Sequence, residues 1–485
     1  FTRRLDLRSG TLERALVWHT ASGKRLKLSF LRFLSMATPY LGCQRVMLEA
    51  VDFSGPVEIV VGLDFSPRYE LMDRNFWACP RKDQQGDVVA ILGQTESSGQ
   101  KAFSGFQLHC SQSLDASLVE DEQFIGLACS LPLEQGRPVS LDKVVVNYAE
   151  KRGEVTAHAV WEQGISLAAA HCRRPFDQAL VEHAAYWKRV WDTLDVTIEG
   201  DPANQQGVRF CIFQLHQTYH GVNPSLNVGA KGLTGEVYYG WTFWDTETYC
   251  LPFYLFNNPQ AARNLLTYRY RTLPQALERA EQLDCQGARY PMGTIDGTES
   301  VGTWQHGDLE IHVSAAVAYG IWHYVNVSGD RDFLYREGIE MLIQISRFFA
   351  SRGGWSPLTG EYGFWGVMGP DEFHMMVHNN CYTNLLAQKT FRWSLETLDE
   401  MAQAAPDRLQ AVNEKVGLAP REPDDWRHKA DKMRIPYHAQ TGLFEQHDGY
   451  FDLPRVAVDS IPPAQFPIYK HWAYDSIFRV DPIKQ

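Results

Sequence analysis

The sequence of 485 residues lacks any run of about 18 apolar residues, the length that a membrane-spanning helix needs. We therefore expect no membrane contact. It also lacks an excess of positive charge, because 46 Lys and Arg residues face 58 Asp and Glu residues, giving a formal net charge of −12. Nucleic acid binding needs clustered cations, so we exclude nucleic acid as a partner. Any anionic substrate must bind in a local basic pocket.

The sequence also lacks the motifs of several common chemistries. Its nine cysteines are scattered without a C-x-x-C pair, which argues against a zinc ribbon and predicts free thiols in a reducing cytoplasm. The phosphate-binding motif G-x-x-x-x-G-K-[ST], the serine motif G-x-S-x-G and the dinucleotide fingerprint are missing. Nucleotide-dependent reactions and serine hydrolysis are therefore unsupported.

The spacing of apolar residues along the sequence changes near residue 180. Before this point, short runs of alternating apolar and polar residues are separated by Gly, Pro, Ser and Asp about every ten residues. This pattern is typical of a β-sandwich, so we assign residues 1–175 to an N-terminal β-sandwich domain. Apolar residues at helical spacing over 176–200 predict a helical linker.

Residues 201–485 have a helical pattern with long Gly-rich or aromatic loops. Repeated helices with such loops suggest a helical toroid in which inner helices surround a pocket. Too few helices are visible to close a ring of six helical hairpins, so we expect an incomplete (α/α)6 barrel whose C-terminal part is missing. The predicted helices are 204–219, 246–256, 259–282, 307–327, 330–351, 380–403 and 421–433.

The densest group of functional side chains lies between residues 363 and 384. Asp371 and Glu372 are adjacent on a Gly-Pro turn, with Trp365 and His374 nearby in the sequence. Aromatic and apolar neighbours desolvate a carboxyl group and raise its pKa, and a carboxylic acid that stays protonated can protonate a leaving alcohol. The structural alternative makes Asp371 a helix cap and places Glu372 in the first helical turn.

A second cluster contains Trp241, Trp244 and Asp245, just before a predicted helix. Tryptophan rings stack on the apolar faces of sugars, and a carboxylate accepts hydrogen bonds from neighbouring hydroxyl groups. The alternative is a buried aromatic staple with Asp245 as the helix cap. Trp304, which precedes the predicted helix 307–327, could contact a ligand or belong to the cap of that helix.

Two histidines, His374 and His378, are four residues apart and could bind a metal ion on one helical face. The H-E-x-x-H arrangement is absent and no cysteine accompanies the pair. We therefore predict that the protein holds no metal.

From about residue 201 to the last residue, the sequence resembles glycoside hydrolase family 65. Members of this family are mostly inverting α-glucoside phosphorylases of the maltose, trehalose, kojibiose and nigerose types. The N-terminal part fits the family's β-sandwich with weaker motifs. The matching stretches are G-L-T-G-E (232–236), F-W-D-T-E (243–247), Y-P-M (290–292), G-V-M-G-P-D-E-F-H (366–374), N-N-C-Y-T-N (379–384) and I-K-Q (483–485).

The resemblance implies that Glu372 is the general acid and that four residues hold the glucosyl unit: Trp244, Asp245, Lys484 and Gln485. Inverting cleavage needs an acid on one side of the bond and a nucleophile on the opposite face of the sugar. In a phosphorylase that nucleophile is inorganic phosphate, so we expect phosphate as co-substrate, an α-linked glucose disaccharide as substrate, and no cofactor. Further candidate substrate-binding residues are Trp241, Trp365, Asp371, His374 and Trp304.

Two alternatives stay open. A hydrolase of the same family would use water and a base carboxylate after residue 485, whereas a non-catalytic carbohydrate-binding protein would be expected to have lost Glu372. Many relatives have His where Trp241 stands, so a sugar contact differs here. Linkage depends mainly on residues 292–308, the acceptor loop, which favours a nigerose or kojibiose type. A homodimer is left open.

The family's phosphate-binding loop, last barrel helices and C-terminal β domain lie beyond the position of Gln485. We therefore expect the sequence to be an internal fragment. Loss of the last helices would expose apolar faces and leave the phosphate pocket unbuilt. On this basis we expect residues 1–485 alone to be poorly soluble and inactive.

Overall fold

The alternating pattern before residue 180 forms two antiparallel sheets in the computed structural model, which describes residues 1–69, 72–232, 235 and 237–482. The chain divides into a first unit, Phe1–Phe213, and a second unit, Gln214–Gln485. The predicted order, an antiparallel β domain followed by a helical domain, is confirmed. None of the described helices is both long enough and apolar enough to cross a membrane.

The larger sheet of the first unit has the strand order β1-β2-β3-β4-β11-β8-β7-β6, and the smaller sheet has the order β5-β10-β9. The strands are β1 (Thr2–Asp6), β2 (Thr11–His19), β3 (Arg25–Leu34), β4 (Leu41–Ala50), β5 (Gly55–Asp64), β6 (Trp77–Gln85), β7 (Val88–Thr95), β8 (Lys101–Cys110), β9 (Asp115–Asp121), β10 (Phe124–Leu133) and β11 (Val139–Glu150).

The core of the first unit has two layers, because the side chains of a strand alternate between its two faces. Val89 and Ile91 of β7 pack with Ile125 of the smaller sheet. The opposite face of the larger sheet is covered by α1 (Ala157–His171), whose Trp161 meets the ring of Phe103 edge-on at 5.4 Å. The β-sandwich is therefore backed by a helix within the range 1–175.

Two further helices follow α1, namely α2 (Phe176–Leu194) and α3 (Pro202–Thr218). Helix α2 lies in the predicted linker. It is joined to the larger sheet by Arg45 of β4, whose guanidinium group forms ion pairs with both Asp142 of β11 and Asp177 of α2. All nine cysteines are free thiols, as the sequence predicted.

The helices of the second unit follow the predicted pattern, with two short hairpins and two π-helical turns among them. The α-helices are α4 (Leu251–Asn257), α5 (Pro259–Arg271), α6 (Leu273–Gln282), α7 (Trp304–Leu309), α8 (His312–Ser328), α9 (Arg331–Phe333), α10 (Ile339–Arg352), α11 (Cys381–Ala404), α12 (Pro406–Val416), α13 (Glu422–Asp431) and α14 (Tyr474–Ile477). The hairpins are β12 (Gly354–Trp355) with β13 (Tyr362–Gly363), and β14 (Tyr437–His438) with β15 (Leu443–Phe444). The π-helical turns are Thr246–Cys250 and Leu334–Gly338.

Some predicted helices are interrupted. The single helix expected over 259–282 is two helices, α5 and α6, because Pro274 lacks a backbone N–H and disfavours helical geometry at the residue before it. The helix expected over 307–327 is likewise divided into α7 and α8, and the break places Glu310 between them. Helix α12 was not predicted.

The core of the second unit is built around α8, which packs against α5, α10 and α11. Its small residues Ala315, Ala316 and Ala318 are fully buried, so neighbouring helices approach closely. The N-terminal end of α8 therefore lies inside the helical unit, next to the functional loops.

A buried ion pair anchors the F-W-D-T-E stretch to α5. Arg269 donates to both oxygens of Glu247, at 2.7 and 2.9 Å, and also to the carbonyl of Phe243 at 3.1 Å. The two charged side chains are 0% and 1% exposed. Charges this deeply buried are tolerated only when they are paired and hydrogen-bonded.

We predict that Arg269→Met destabilises the protein by about 3–5 kcal/mol, because Glu247 loses its partner in a desolvated site. Urea unfolding followed by tryptophan fluorescence measures the change. The control is Arg427→Met, which removes an exposed pair with Asp424 and should cost less than about 1 kcal/mol. Equal losses in the two variants would contradict the prediction.

Candidate active site

Glu372 lies at the tip of a loop whose two sides are paired. Val367 and Val377 exchange backbone hydrogen bonds of 3.0 and 2.9 Å across the stem. Closer to the base, Asn379 N–H donates to the Phe364 carbonyl at 2.7 Å, and Phe364 N–H donates to Asn379 Oδ1 at 3.2 Å. We call residues 364–379 the acid loop. Its pairing fixes where Glu372 is presented.

The residues that close the acid loop explain its sequence. Asn379 adopts a left-handed conformation with φ 51°, which Asn tolerates better than most residues. Asn380 then caps α11 by accepting a hydrogen bond from Thr383 N–H at 3.0 Å. A Cβ on Gly369 would lie 2.2 Å from Asn380 Nδ2, so only glycine fits there. The loop is thereby fastened to a long helix.

Asp371 and His374, predicted to bind substrate, are buried and bonded within the protein. They share a short hydrogen bond between Asp371 Oδ2 and His374 Nδ1. Asp371 also accepts from Gln446 Nε2 at 2.6 Å and from Phe373 N–H at 3.1 Å. His374 Nε2 donates to the Val480 carbonyl at 2.8 Å. These bonds brace the turn that carries the acid.

Glu372 itself faces a different group of side chains. His306 Nε2 lies 3.5 Å from Glu372 Oε2, and both side chains are about one quarter exposed, at 26% and 22%. Asp245 keeps an exposed edge, yet its neighbours desolvate it and the charge of Glu372 adds to this effect, so its pKa is raised. The structure therefore brings Glu372 and Asp245 into electrostatic contact across the site.

His312 connects the two predicted clusters. The ring of Trp244 meets it edge-on at 4.9 Å, and Tyr382 of α11 lies 5.9 Å from it on another side. Burial, helped by the positive charge of Arg289, lowers the pKa of His312 to about 3, so its imidazole is neutral near pH 7. His312 therefore positions Trp244 without adding charge to the site.

Several buried charges lie beneath this surface. Glu310 is 1% exposed, with its Oε2 3.7 Å from His312 Nε2. Arg289 is fully buried and donates to the carbonyls of Tyr290 and Gly307. Glu310, His312 and Arg289 were not among the residues predicted from the sequence. The available signal was the pair of polar residues in E-I-H, set in an otherwise apolar run.

The acceptor loop is held from within by Glu299. Its carboxylate accepts hydrogen bonds from Met292 N–H at 2.7 Å and from Val301 N–H at 3.1 Å. Trp304 begins α7 and is 53% exposed, two residues before His306. The acceptor loop thus exposes the ring of Trp304 to solvent and brings the imidazole of His306 next to Glu372.

The other predicted residues lie around these groups. Trp241 is half-buried against Tyr239, with ring centroids 4.9 Å apart. Trp365 is half-buried in the acid loop beside Gly354 of β12. Lys484 and Gln485 lie outside the described residues.

Within the described part of the chain, one group of three side chains is close enough to hold a metal ion. His306, Glu310 and Glu372 place their ligand atoms within 4.8 Å of one another. This set does not include His374 or His378, the histidine pair that was considered as a metal site from the sequence. His374 is hydrogen-bonded to Asp371 instead.

Two family models match the chain. The model described as the glycosyl hydrolase family 65 central catalytic domain matches residues 209–485, and the model described as the N-terminal domain of the same family matches residues 1–190. Together they account for both units of the structure.

Individual relatives match over the whole chain. The α,α-trehalose phosphorylase of Thermoanaerobacter brockii is 31% identical over 100% of this chain and 64% of its own length. The maltose phosphorylase of Bacillus subtilis is 31% identical over 100% and 63%, respectively. A solved structure described as a candidate kojibiose phosphorylase from the human microbiome is 34% identical, with a TM-score of 0.92, over 100% of this chain and 63% of that one. This chain therefore spans just under two thirds of the length of each of these proteins.

We predict that the Asp371–His374 pair stabilises the protein mainly at low pH. Burial lowers the pKa of His374, but its bonds with Asp371 and the Val480 carbonyl outweigh burial and raise it above the usual value. A raised pKa gives stability that is complete below the unfolded value of about 6.5 and is lost as pH rises through the folded value.

The variant His374→Ala should therefore lower the thermal unfolding midpoint more at about pH 6 than at about pH 9. The control is His471→Ala, at an exposed position of the second unit, where the loss of stability should be small at both pH values. A His374→Ala deficit that is constant or grows with pH would refute the assignment.

Proposed function

The chain belongs to glycoside hydrolase family 65, and on this basis we propose that it acts as an inverting phosphorylase of an α-linked glucose disaccharide or glucoside. The products are β-glucose 1-phosphate and the free acceptor. The observation that carries the proposal is the position of Glu372, which is presented on a hydrogen-bonded loop beside His306 and close enough to Asp245 for its charge to act on that residue. The phosphorylase names of the relatives support the same reaction.

We assign the glucosyl side of the site to the F-W-D-T-E stretch. The Trp244 ring offers a face on which the apolar side of a glucosyl unit stacks. Asp245 has an exposed edge from which it can accept hydrogen bonds from sugar hydroxyl groups. The ion pair between Glu247 and Arg269 holds this stretch in place before substrate arrives, which reduces the entropy lost on binding.

Glu372 is the proposed proton donor. It transfers its proton to the glycosidic oxygen as the bond from that oxygen to the anomeric carbon breaks, so that the acceptor leaves as a neutral alcohol. Phosphate attacks the anomeric carbon from the opposite face, and the new carbon–oxygen bond has the β configuration. Because phosphate is already anionic, the reaction needs no general base, and we propose phosphate as co-substrate without a cofactor.

We assign the acceptor side to the acceptor loop, because it brings His306 against Glu372 and Trp304 into solvent nearby. Its own carboxylate, Glu299, fixes the backbone at its start. The acceptor is identified by assaying kojibiose, nigerose, maltose, trehalose and glucosylglycerol with phosphate. The free cysteines favour a reducing, cytoplasmic setting.

We predict that Glu372→Gln lowers the turnover of the full-length protein by roughly 10²–10⁴-fold or more, because the amide cannot protonate the leaving oxygen. Binding of the sugar, measured by calorimetry, should persist because the amide has nearly the same shape. The matched control is Glu396→Gln, at an exposed position of α11, which should keep normal turnover. Near-normal turnover in Glu372→Gln would reject Glu372 as the acid.

We also predict that the first sugar phosphate released is the β anomer. Proton NMR of a reaction started with an α-linked glucose disaccharide and phosphate distinguishes the two anomers, which do not interconvert because the anomeric oxygen carries the phosphate. Formation of α-glucose 1-phosphate would rule out inversion. Formation of free glucose alone, at a rate independent of phosphate, would identify a hydrolase of the same family instead.

A further inference from the structure

We propose that His306, Glu310 and Glu372 form a binding site for a divalent transition-metal ion such as Zn²⁺, and that the bound ion inhibits the enzyme. The binding site follows from the geometry alone. The inhibition rests on the proposed function, because it requires Glu372 to be the proton donor.

The distances suit a small metal ion. Zinc binds imidazole nitrogen and carboxylate oxygen at about 2.0–2.2 Å, so neighbouring ligands of a tetrahedral site are roughly 3.4 Å apart. His306 Nε2 and Glu372 Oε2 already lie 3.5 Å apart. Since all three ligand atoms are within 4.8 Å of one another, Glu310 need move by only about 1 Å to complete the set.

The ligands are supplied by short, well-connected segments. His306 and Glu310 are four residues apart, at the body and the C-cap of α7, and residues at this spacing share one side of a helix. Glu372 comes from the acid loop, which is fixed by its paired stem. A site shared between two such segments requires little reorganisation when an ion binds.

His306 is oriented by a partner on its other ring nitrogen. Its Nδ1 lies 3.1 Å from the hydroxyl oxygen of Thr303, the N-cap residue of α7. With Nδ1–H donating to that oxygen, the lone pair of Nε2 points toward Glu372. Metal-binding histidines usually have such an outer partner, which fixes the tautomer and the ring orientation.

The local charges favour a cation. Glu310 is almost completely buried, and its carboxylate oxygen lies within 4.8 Å of that of Glu372, so two acidic groups are close together here. A divalent ion relieves the repulsion between them. The buried Arg289 is an opposing charge, and it interacts electrostatically with Glu299 and Asp308 as well as with Glu310.

Metal binding and proton donation exclude each other at Glu372. A carboxylate must be deprotonated to bind a metal ion, whereas a general acid must carry its proton when the reaction begins. An ion held by His306 and Glu310 would therefore keep Glu372 in the inactive form. Chelation of the ion should restore activity.

The direct test is metal binding by the chelator-treated protein in a buffer without phosphate or sugar. Calorimetry with Zn²⁺ should give one site per chain, and Co²⁺ should give a visible absorption band of low-coordinate cobalt. Thiolate ligands add an intense near-ultraviolet band, so its absence separates this site from the free cysteines. No binding at one equivalent would overturn the proposal.

Variants assign the site. His306→Ala and Glu310→Gln should each weaken Zn²⁺ binding at least about 100-fold, and Thr303→Val, which removes only the outer partner, should weaken it about 10-fold. His378→Ala, at an exposed position of the acid loop, is the control and should bind as the wild-type protein does. Because Thr303 is exposed, its variant tests the site even if Glu310→Gln does not fold. Unchanged affinity in both His306→Ala and Thr303→Val would overturn the site.

The inhibition is tested separately, in the synthetic direction with β-glucose 1-phosphate and glucose, where little phosphate is present at the start to bind the metal. In this direction Glu372 is the base that takes the proton of the acceptor hydroxyl group, and an oxygen bound to the metal cannot take it. Micromolar Zn²⁺ should abolish turnover of the wild-type protein, and a chelator should restore it. Stoichiometric binding without inhibition would overturn the inhibitory role and leave the site standing. An active Glu372→Gln variant would reject the proposed acid, while the cobalt spectrum would still decide whether the metal site exists.

Discussion

The buried ion pair between Glu247 and Arg269 is the interaction on which the site depends most. Arg269 grips the two ends of the F-W-D-T-E stretch, the carbonyl of Phe243 and the carboxylate of Glu247, so Trp244 and Asp245 between them have little freedom. Glu247 lies in the π-helical turn Thr246–Cys250, which is wider than an α-helical turn and accommodates this geometry. Two desolvated charges are costly, and only their double hydrogen bond makes the arrangement stable.

The acid loop is also held in place by buried, hydrogen-bonded side chains, here Asp371 and His374. Glu372 is presented to the site while its neighbours Asp371 and His374 are bonded to the protein on every side that the structure shows. Adjacent acids therefore have different surroundings: Asp371 is buried and hydrogen-bonded, whereas the side chain of Glu372 is 22% exposed and lies beside His306. A proton donor must be placed to within a fraction of an ångström, and a braced turn achieves this better than a free loop.

The sequence predicted the order of the domains, most helices and the position of the acid loop, because these depend on local periodicity and on recognisable motifs. It could not separate Glu372 from Asp371 by composition, since both are acids in the same aromatic surroundings. Arg289 and Arg269 were missed because charged residues are usually exposed, and the carboxylate that pairs with Arg269 is 22 residues away in the sequence. The break between α5 and α6 could have been predicted from Pro274, because proline disfavours a continuous helix. It was missed because the residues on both sides have helical spacing.

The candidate site is built from separate segments of the chain. This explains why overall sequence identity to the relatives does not show which acceptor sugar the protein uses. The chain is equally similar, at 31% identity, to a trehalose phosphorylase and to a maltose phosphorylase. Those substrates share a glucosyl unit and differ in the group that leaves, so the residues that discriminate between them must be few. In this chain the acceptor loop is fixed by its own Glu299 and brings His306 to within 3.5 Å of Glu372. Under the proposed function, such a loop can change its acceptor contacts while Trp244, Asp245 and Glu372, the residues proposed for bond cleavage, keep their geometry.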